Sequence, residues 1–139
     1  GNVSTYVHNS LGDNLGKIGV LLNLKADPAI DLAAVGKNIC MHIAATGPKA
    51  LDESSLDAEI ITNETNIIKE QLKETGKSED IIEKMLAGKM RKFFEEVVLL
   101  NQKYVIDPNL TISDFLDNYG KDNNAKLTIS SFTRYELGQ

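Results

Sequence analysis

Two apolar stripes of helical period follow one another between residues 57 and 97, with a glycine between them. In the first, from Asp57 to about Thr75, Ile60, Ile61, Ile67, Ile68 and Leu72 fall on one side of a helix, and Gly76 closes it. Ser78 stands at the cap of the second, with Glu79 and Asp80 in the first turn, where carboxylates favour the positive end of the helix dipole. Its stripe runs Ile81, Ile82, Met85, Leu86, Met90, Phe93, Phe94 and Val97. Each helix would span roughly 28 Å, at about 1.5 Å per residue over about 19 residues. A connection of two or three residues makes them antiparallel neighbours, so residues 57–97 read as a long helical hairpin.

The flanking sequence carries a different period. Asn2 to His8 alternates weakly, with Val3, Thr5 and Val7 on one side and Ser4, Tyr6 and His8 on the other. Ile18 to Leu24 is a β-branched and leucine-rich run, and the turn-forming stretch Asn9 to Gly16 joins the two as a hairpin loop. Asp27-Pro28 is expected to open a helix, with Leu32, Val35, Ile39 and Ile43 at helical spacing and Gly47-Pro48 as its stop. Leu51 to Leu56 reads as a connecting turn, and residues 98–106 as irregular or strand-like. Thr111-Ile112-Ser113-Asp114 resembles a capping box, followed by Phe115, Leu116 and Tyr119, with Gly120 as the stop. Lys126 to Leu137 is the last strand, with Leu127, Ile129, Ser131, Thr133, Tyr135 and Leu137 sharing one parity. The order strand, strand, helix, hairpin, short helix, strand is α+β: one domain over residues 1–139, a small three-stranded, mostly antiparallel sheet covered by helices. The hairpin helices are too long to lie wholly on so small a sheet, so part of the hairpin is expected to project.

Composition narrows the function classes. The 139 residues carry 15 Lys and Arg against 20 Asp and Glu, a net charge of −5. An acidic chain repels phosphate on average, which argues against a general nucleic-acid or membrane-surface binder. No apolar run approaches the roughly 20 residues needed to span a bilayer, and no secretory signal is visible. The chain starts at Gly1, which suggests a processed chain or a piece of a longer one. Cys40 has no cysteine partner, which suits a reducing compartment. Cys40, His8 and His42 make three soft metal ligands, one short of a zinc site built from thiolate and imidazole alone.

The remaining motifs favour ordinary structural roles. Gly12-Asp13-Asn14-Leu15-Gly16-Lys17-Ile18 is one residue short of a phosphate loop, puts Ile18 where the magnesium-binding hydroxyl belongs, and leads into a strand. Cys40 and His42 sit about 200° apart on a helix and cannot touch; His42 shares the stripe of Val35 and Ile39 and reads as a packed helix histidine. His8 lies at a strand end beside a loop, a place where binding residues concentrate, although a solvated side chain is the simpler reading of it alone. Lys84, Lys89, Arg91 and Lys92 read as a solvated face balanced by Glu83, Glu95 and Glu96. No nucleophile elbow and no His-Glu-x-x-His motif occur. No catalytic, metal or cofactor residue is assigned, and the chain reads as one that presents surfaces.

Several ordered stretches together resemble bacterial elongation factor Ts, in the C-terminal half of its core with the helical-hairpin insertion. They are Tyr6-Val7-His8, Lys17-Ile18-Gly19-Val20-Leu21, the helix Asn38 to Ala45, the run from Glu83 to Phe93 continuing through Glu96 to Val105, and Phe132-Thr133-Arg134-Tyr135-Glu136-Leu137-Gly138. The resemblance implies a cytoplasmic bacterial protein that binds elongation factor Tu and speeds GDP release without bond chemistry. This half would dock mainly on the third domain of Tu. His8 matches a family position associated with that contact, and its neighbours Asn9, Ser10 and Leu11 are taken with it. The resemblance links the hairpin to self-association, for which Ile68, Leu72, Ile82, Met85 and Leu86 are the candidates. The family's Thr-Asp-Phe-Val wedge is not among these residues. Ser113-Asp114-Phe115-Leu116 is similar in letters only, and Phe115 is expected in the core. The competing reading is a purely structural dimerisation module with no direct contact to Tu. A small enzyme with an unrecognised carboxylate site is the remote third.

Overall fold

Val20, Leu22 and Leu24 occupy every second position of one strand, so they share one face of a sheet, and all three are buried. A computed structural model describes residues 2–9 and 17–137 of the chain. Strands β1 (Asn2–Asn9), β2 (Lys17–Asp27) and β3 (Lys126–Leu137) form an antiparallel sheet in the order β1-β2-β3. Helices α1 (Ala33–Thr46), α2 (Ala58–Lys73), α3 (Glu79–Val97) and α4 (Ile112–Asp122) complete it, with short 3-10 turns at Glu53–Ser55 and Leu99–Asn101. This is the expected α+β class with a three-stranded sheet.

Helix α1 lays Val35, Ile39 and Ile43 on the β2 face, and Ile112 and Leu116 of α4 join Leu127, Ile129 and Tyr104 in the same core. The approach of α1 is close. A Cβ on the buried Gly36 would collide with the side chain of Ser4 on β1, so glycine is needed for contact and not for flexibility. Phe115 meets Tyr104 at a ring tilt of 48°, with centroids 4.7 Å apart, and packs partly buried against the core.

Helices α2 and α3 contribute nothing to that core. They bury Ile68, Leu72 and Leu86 against one another, flanked by Ile82, Met85 and Met90. Their other ends meet a third cluster, where Phe93, Phe94, Ile60 and Ile61 pack around Ala50, Leu56 and Val98. Gly76, with φ of 72°, makes the turn between them.

Four sequence expectations change. Asp27-Pro28 does not open α1. Ladder pairs Lys25–Thr128, Ala26–Leu127 and Asp27–Lys126 hold this stretch extended in β2, and α1 begins at Ala33, where the Asp31 carboxylate accepts the Ala33 N–H at 3.0 Å. The residue before a proline is biased away from helix in any case. Ser78 does occupy the cap position of α3, but its side chain makes no cap hydrogen bond. Gly120 does not stop α4, which runs to Asp122. A Cβ there would lie 2.5 Å from the Ala125 carbonyl oxygen, so the glycine admits the chain that leads into β3. The fourth change concerns the parity of β3. Asn23 pairs with Ser131 but Leu24 pairs with Ile129, leaving Ser130 as a bulge. Leu127 and Ile129 face the core before it, whereas Phe132 packs on the core after it. One extra residue swaps the faces of everything that follows.

Candidate partner-binding site

The ends of all three strands gather at one edge of the sheet. His8 pairs with Ile18 and Ile18 with Glu136, while Asn9 pairs with Lys17 and Lys17 with Leu137. His8 and Asn9 are thus the last residues of β1, held by the ladder. Ser10 and Leu11, and most of the phosphate-loop-like stretch, lie outside the described residues. Lys17 and Ile18 belong to a strand, and a phosphate loop would need a helix there.

The sheet face turned away from α1 is the second feature of this region. Val3, Val7, Leu21 and Tyr135 stand on it, all more than 40% exposed. The ring of Tyr135 lies over Gly19, where a Cβ would strike it. Sequence pattern marked Val3 and Val7 as one side of a strand, but only the sheet order shows that this side is left uncovered.

On the buried face near the same strand ends, two positions before Glu136, Arg134 of β3 donates from Nε and Nη2 to the Ala44 carbonyl, at 3.3 and 3.0 Å, and from Nη1 to Glu136 at 3.1 Å. A cation on a carbonyl in the last turn of α1 suits the negative end of that helix. Beside it, residues 130–134 of β3 and the connector 48–55 border an open groove of 690 Å³.

His42 is fully buried and its ring nitrogens are both engaged. Nδ1 accepts the Val105 N–H at 3.2 Å, which leaves the proton on Nε2 to be donated to Gln102 Oε1 at 2.8 Å. Gln102, itself buried, donates to the Glu96 carbonyl at 2.8 Å and also lies 3.0 Å from the Thr46 hydroxyl. The network ties α1, the end of α3 and residues 102–105 together. Sequence spacing gave no sign of it, because Gln102 is 60 residues from His42. Cys40 is buried near the Ser4 carbonyl, and desolvation pushes its thiol up to about 11, so it is not a reactive thiolate. The two residues thus serve separate packing roles, as their helical offset implies.

Burial lowers the His42 pKa, with the Gln102 hydrogen bond opposing it in part. The unfolded chain therefore takes up a proton as pH falls through about 6.5 while the folded chain resists it. The unfolded state then binds more protons, and stability is lost with acid. The urea midpoint should hold above about pH 7 and drop between about pH 6.5 and 5.5, before most carboxylates titrate. A midpoint unchanged across that window contradicts the buried neutral imidazole.

The hairpin candidates have definite places. Ile68, Leu72 and Leu86 are buried in the seam between α2 and α3, and Ile82 and Met85 are partly buried at its border. Lys84, Lys89, Arg91 and Lys92 project from α3, and among the described residues none has an acidic group within 4.0 Å. Among the described residues no group of three or more His, Cys, Asp or Glu could hold a metal ion. Among the described residues no helix is long and apolar enough to cross a membrane.

Comparison with known proteins agrees with this reading of the residues. The family model described as Elongation factor TS matches residues 1–139. The chain is 45% identical over 141 aligned positions to Elongation factor Ts of Agrobacterium fabrum, covering 100% of this chain and 46% of that one. It is 46% identical over 140 positions to that of Allorhizobium ampelinum and 43% over 141 to that of Rickettsia akari, with the same coverages of 100% and 46%. The chain thus spans about half the length of these curated relatives. A whole-chain family match at this identity, on an α+β fold with its strand ends gathered around His8, places the chain in the elongation factor Ts family.

Proposed function

We propose that this chain binds elongation factor Tu as part of a guanine nucleotide exchange factor, in the bacterial cytoplasm, without a cofactor and without bond chemistry of its own. The observation that carries the reading is the family match over all 139 residues. Docking is assigned to the strand-end region: His8 and Asn9 at the close of β1, with Ser10 and Leu11 next in sequence. A rigid ladder that fixes a strand end is a common way to present contact residues. An exchange factor that prefers nucleotide-free Tu weakens GDP by the same factor that GDP weakens it, so the chain need not touch the nucleotide.

The test is direct. The chain is titrated against nucleotide-free Tu by calorimetry, and against Tu loaded with a fluorescent GDP. Nucleotide-free Tu should bind more tightly, and His8→Ala should weaken binding about tenfold, or roughly 1.4 kcal/mol. Unchanged affinity removes His8 from the contact, and no saturable binding to nucleotide-free Tu removes the docking role.

Residues 57–97 are assigned as a hairpin insertion that supports self-association. Ile68, Leu72, Ile82, Met85 and Leu86 face one another within one chain, so a dimer built on them requires two copies to exchange hairpin helices. Sedimentation over a wide concentration range tests this, and a monomer throughout removes it.

A further inference from the structure

Helix α3 has a second face that its packing on α2 does not use. Gly88 lies at its centre, and a Cβ there would meet nothing within 4 Å. Lys84, Arg91, Lys92 and Glu95 stand four before and three, four and seven after it, so all lie on this face. Ile81, seven positions before Gly88, extends the face and is 47% exposed; Met85, three before it, lies at the border with the seam, packed in part against the α2–α3 cluster. Met85, Gly88, Lys89, Arg91, Lys92 and Glu95 border an open cleft of 440 Å³. The buried Leu86 and the partly buried Met90 of the seam lie on the other side of the helix.

Charge sets the chemistry of what fits. The chain carries −5 overall, yet the stretch from Lys84 to Lys92 holds four cations and no acidic residue, and among the described residues none of Lys84, Lys89, Arg91 and Lys92 is within ion-pair distance of a carboxylate. We propose that this face of α3 is a docking groove for an acidic amphipathic helix of a partner protein. The missing side chain at Gly88 lets a second helix axis come close, as small residues do at helix crossings. Ile81 and Met85 would take its apolar stripe, methionine being well suited to an adaptable contact. The lysines and Arg91 would take its flanking carboxylates. A nucleic-acid backbone fits less well, because Glu95 sits within the stripe and Ile81 and Met85 offer nothing to phosphate. This surface stands apart from the His8 region, and the proposal holds whether or not that region docks on Tu.

The probe is a synthetic amphipathic helical peptide of about 16 residues, roughly 24 Å long, with leucines at i, i+4 and i+7 flanked by glutamates. A copy with lysine for each glutamate and a short RNA duplex serve as competitors, all titrated against the intact chain at low and high salt. The glutamate peptide should bind saturably, weaken with salt, and outcompete both others. Lys84→Glu with Lys92→Glu should weaken it about tenfold or more. Gly88→Leu fills open space and should keep the fold, checked by an unchanged urea midpoint or a raised one, while blocking the peptide. No saturable binding of the glutamate peptide, equal binding of the lysine peptide, tighter binding of RNA, or full binding by Gly88→Leu would each overturn the proposal.

Discussion

Deleting Ser130 is expected to lower the stability of the chain by about 3–6 kcal/mol. Ser130 is the one unpaired residue between Ile129, opposite Leu24, and Ser131, opposite Asn23. Without it, β3 must keep a single parity along its length. If residues 131–137 hold their pairing, Leu127 and Ile129 turn from the core to solvent. Both are buried now, at 5% and 8% exposure, and each aliphatic side chain is worth about 1.5–3 kcal/mol of burial. If residues 126–129 hold instead, Phe132 leaves the core and Arg134 loses the Ala44 carbonyl. Ser130→Ala keeps the bulge and loses one weak hydrogen bond of 3.4 Å to the Asn23 carbonyl, so it should change stability by about 0.5 kcal/mol or less. Urea unfolding of the two variants beside the parent chain decides the matter. A deletion variant as stable as Ser130→Ala means that the bulge does not set the register.

Replacing Gln102 by leucine is the second large effect, about 2–4 kcal/mol. The side chain is 5% exposed and bridges three elements. Leucine fills similar space but leaves the His42 Nε2–H and the Glu96 carbonyl without their partners. An unsatisfied buried polar group costs about 1–3 kcal/mol, and the apolar gain offsets only part of two such losses. Thr46→Val, by contrast, leaves the Gln102 bridge between His42 and Glu96 intact and should cost about 1 kcal/mol. A comparable loss in the two variants, measured by denaturant midpoint, would show that the glutamine bridge is not what holds residues 96–105 to α1.

Local signals carried well where a single element decided the outcome. The seam of α2 and α3 follows from apolar residues three and four apart, and the break from Gly76. The Gly47 cap, with φ of 56° and its N–H on the Ile43 carbonyl at 2.9 Å, and the Thr111–Asp114 capping box were equally readable. Strand β3 runs from Lys126 to Leu137, the bounds its alternating pattern marks. The errors have one cause. Asp27-Pro28 has the form of a helix start, yet pairing with Lys126 keeps Asp27 in a strand, and that partner lies 99 residues away (126 − 27). The Ser130 bulge likewise depends on where β2 lies, and nothing in Thr128 to Phe132 announces it. The candidate site was legible in part. His8 could be placed at a strand end and its ladder partner is now fixed, but neither the uncovered sheet face nor the His42–Gln102 network has any local signature.

The order of residues by itself determined which segments are helix and which are strand, where most of them stop, and which family the chain resembles. Those properties depend on backbone preferences and side-chain period within about 20 neighbouring positions. Tertiary structure alone decided which face of β3 is buried, which glycines are needed for close approach, how the imidazole of His42 is held neutral, and which cations of α3 have no carboxylate in reach among the described residues. Each depends on the distance between groups far apart in sequence, and such distances exist only once the sheet and its helices have closed on one another.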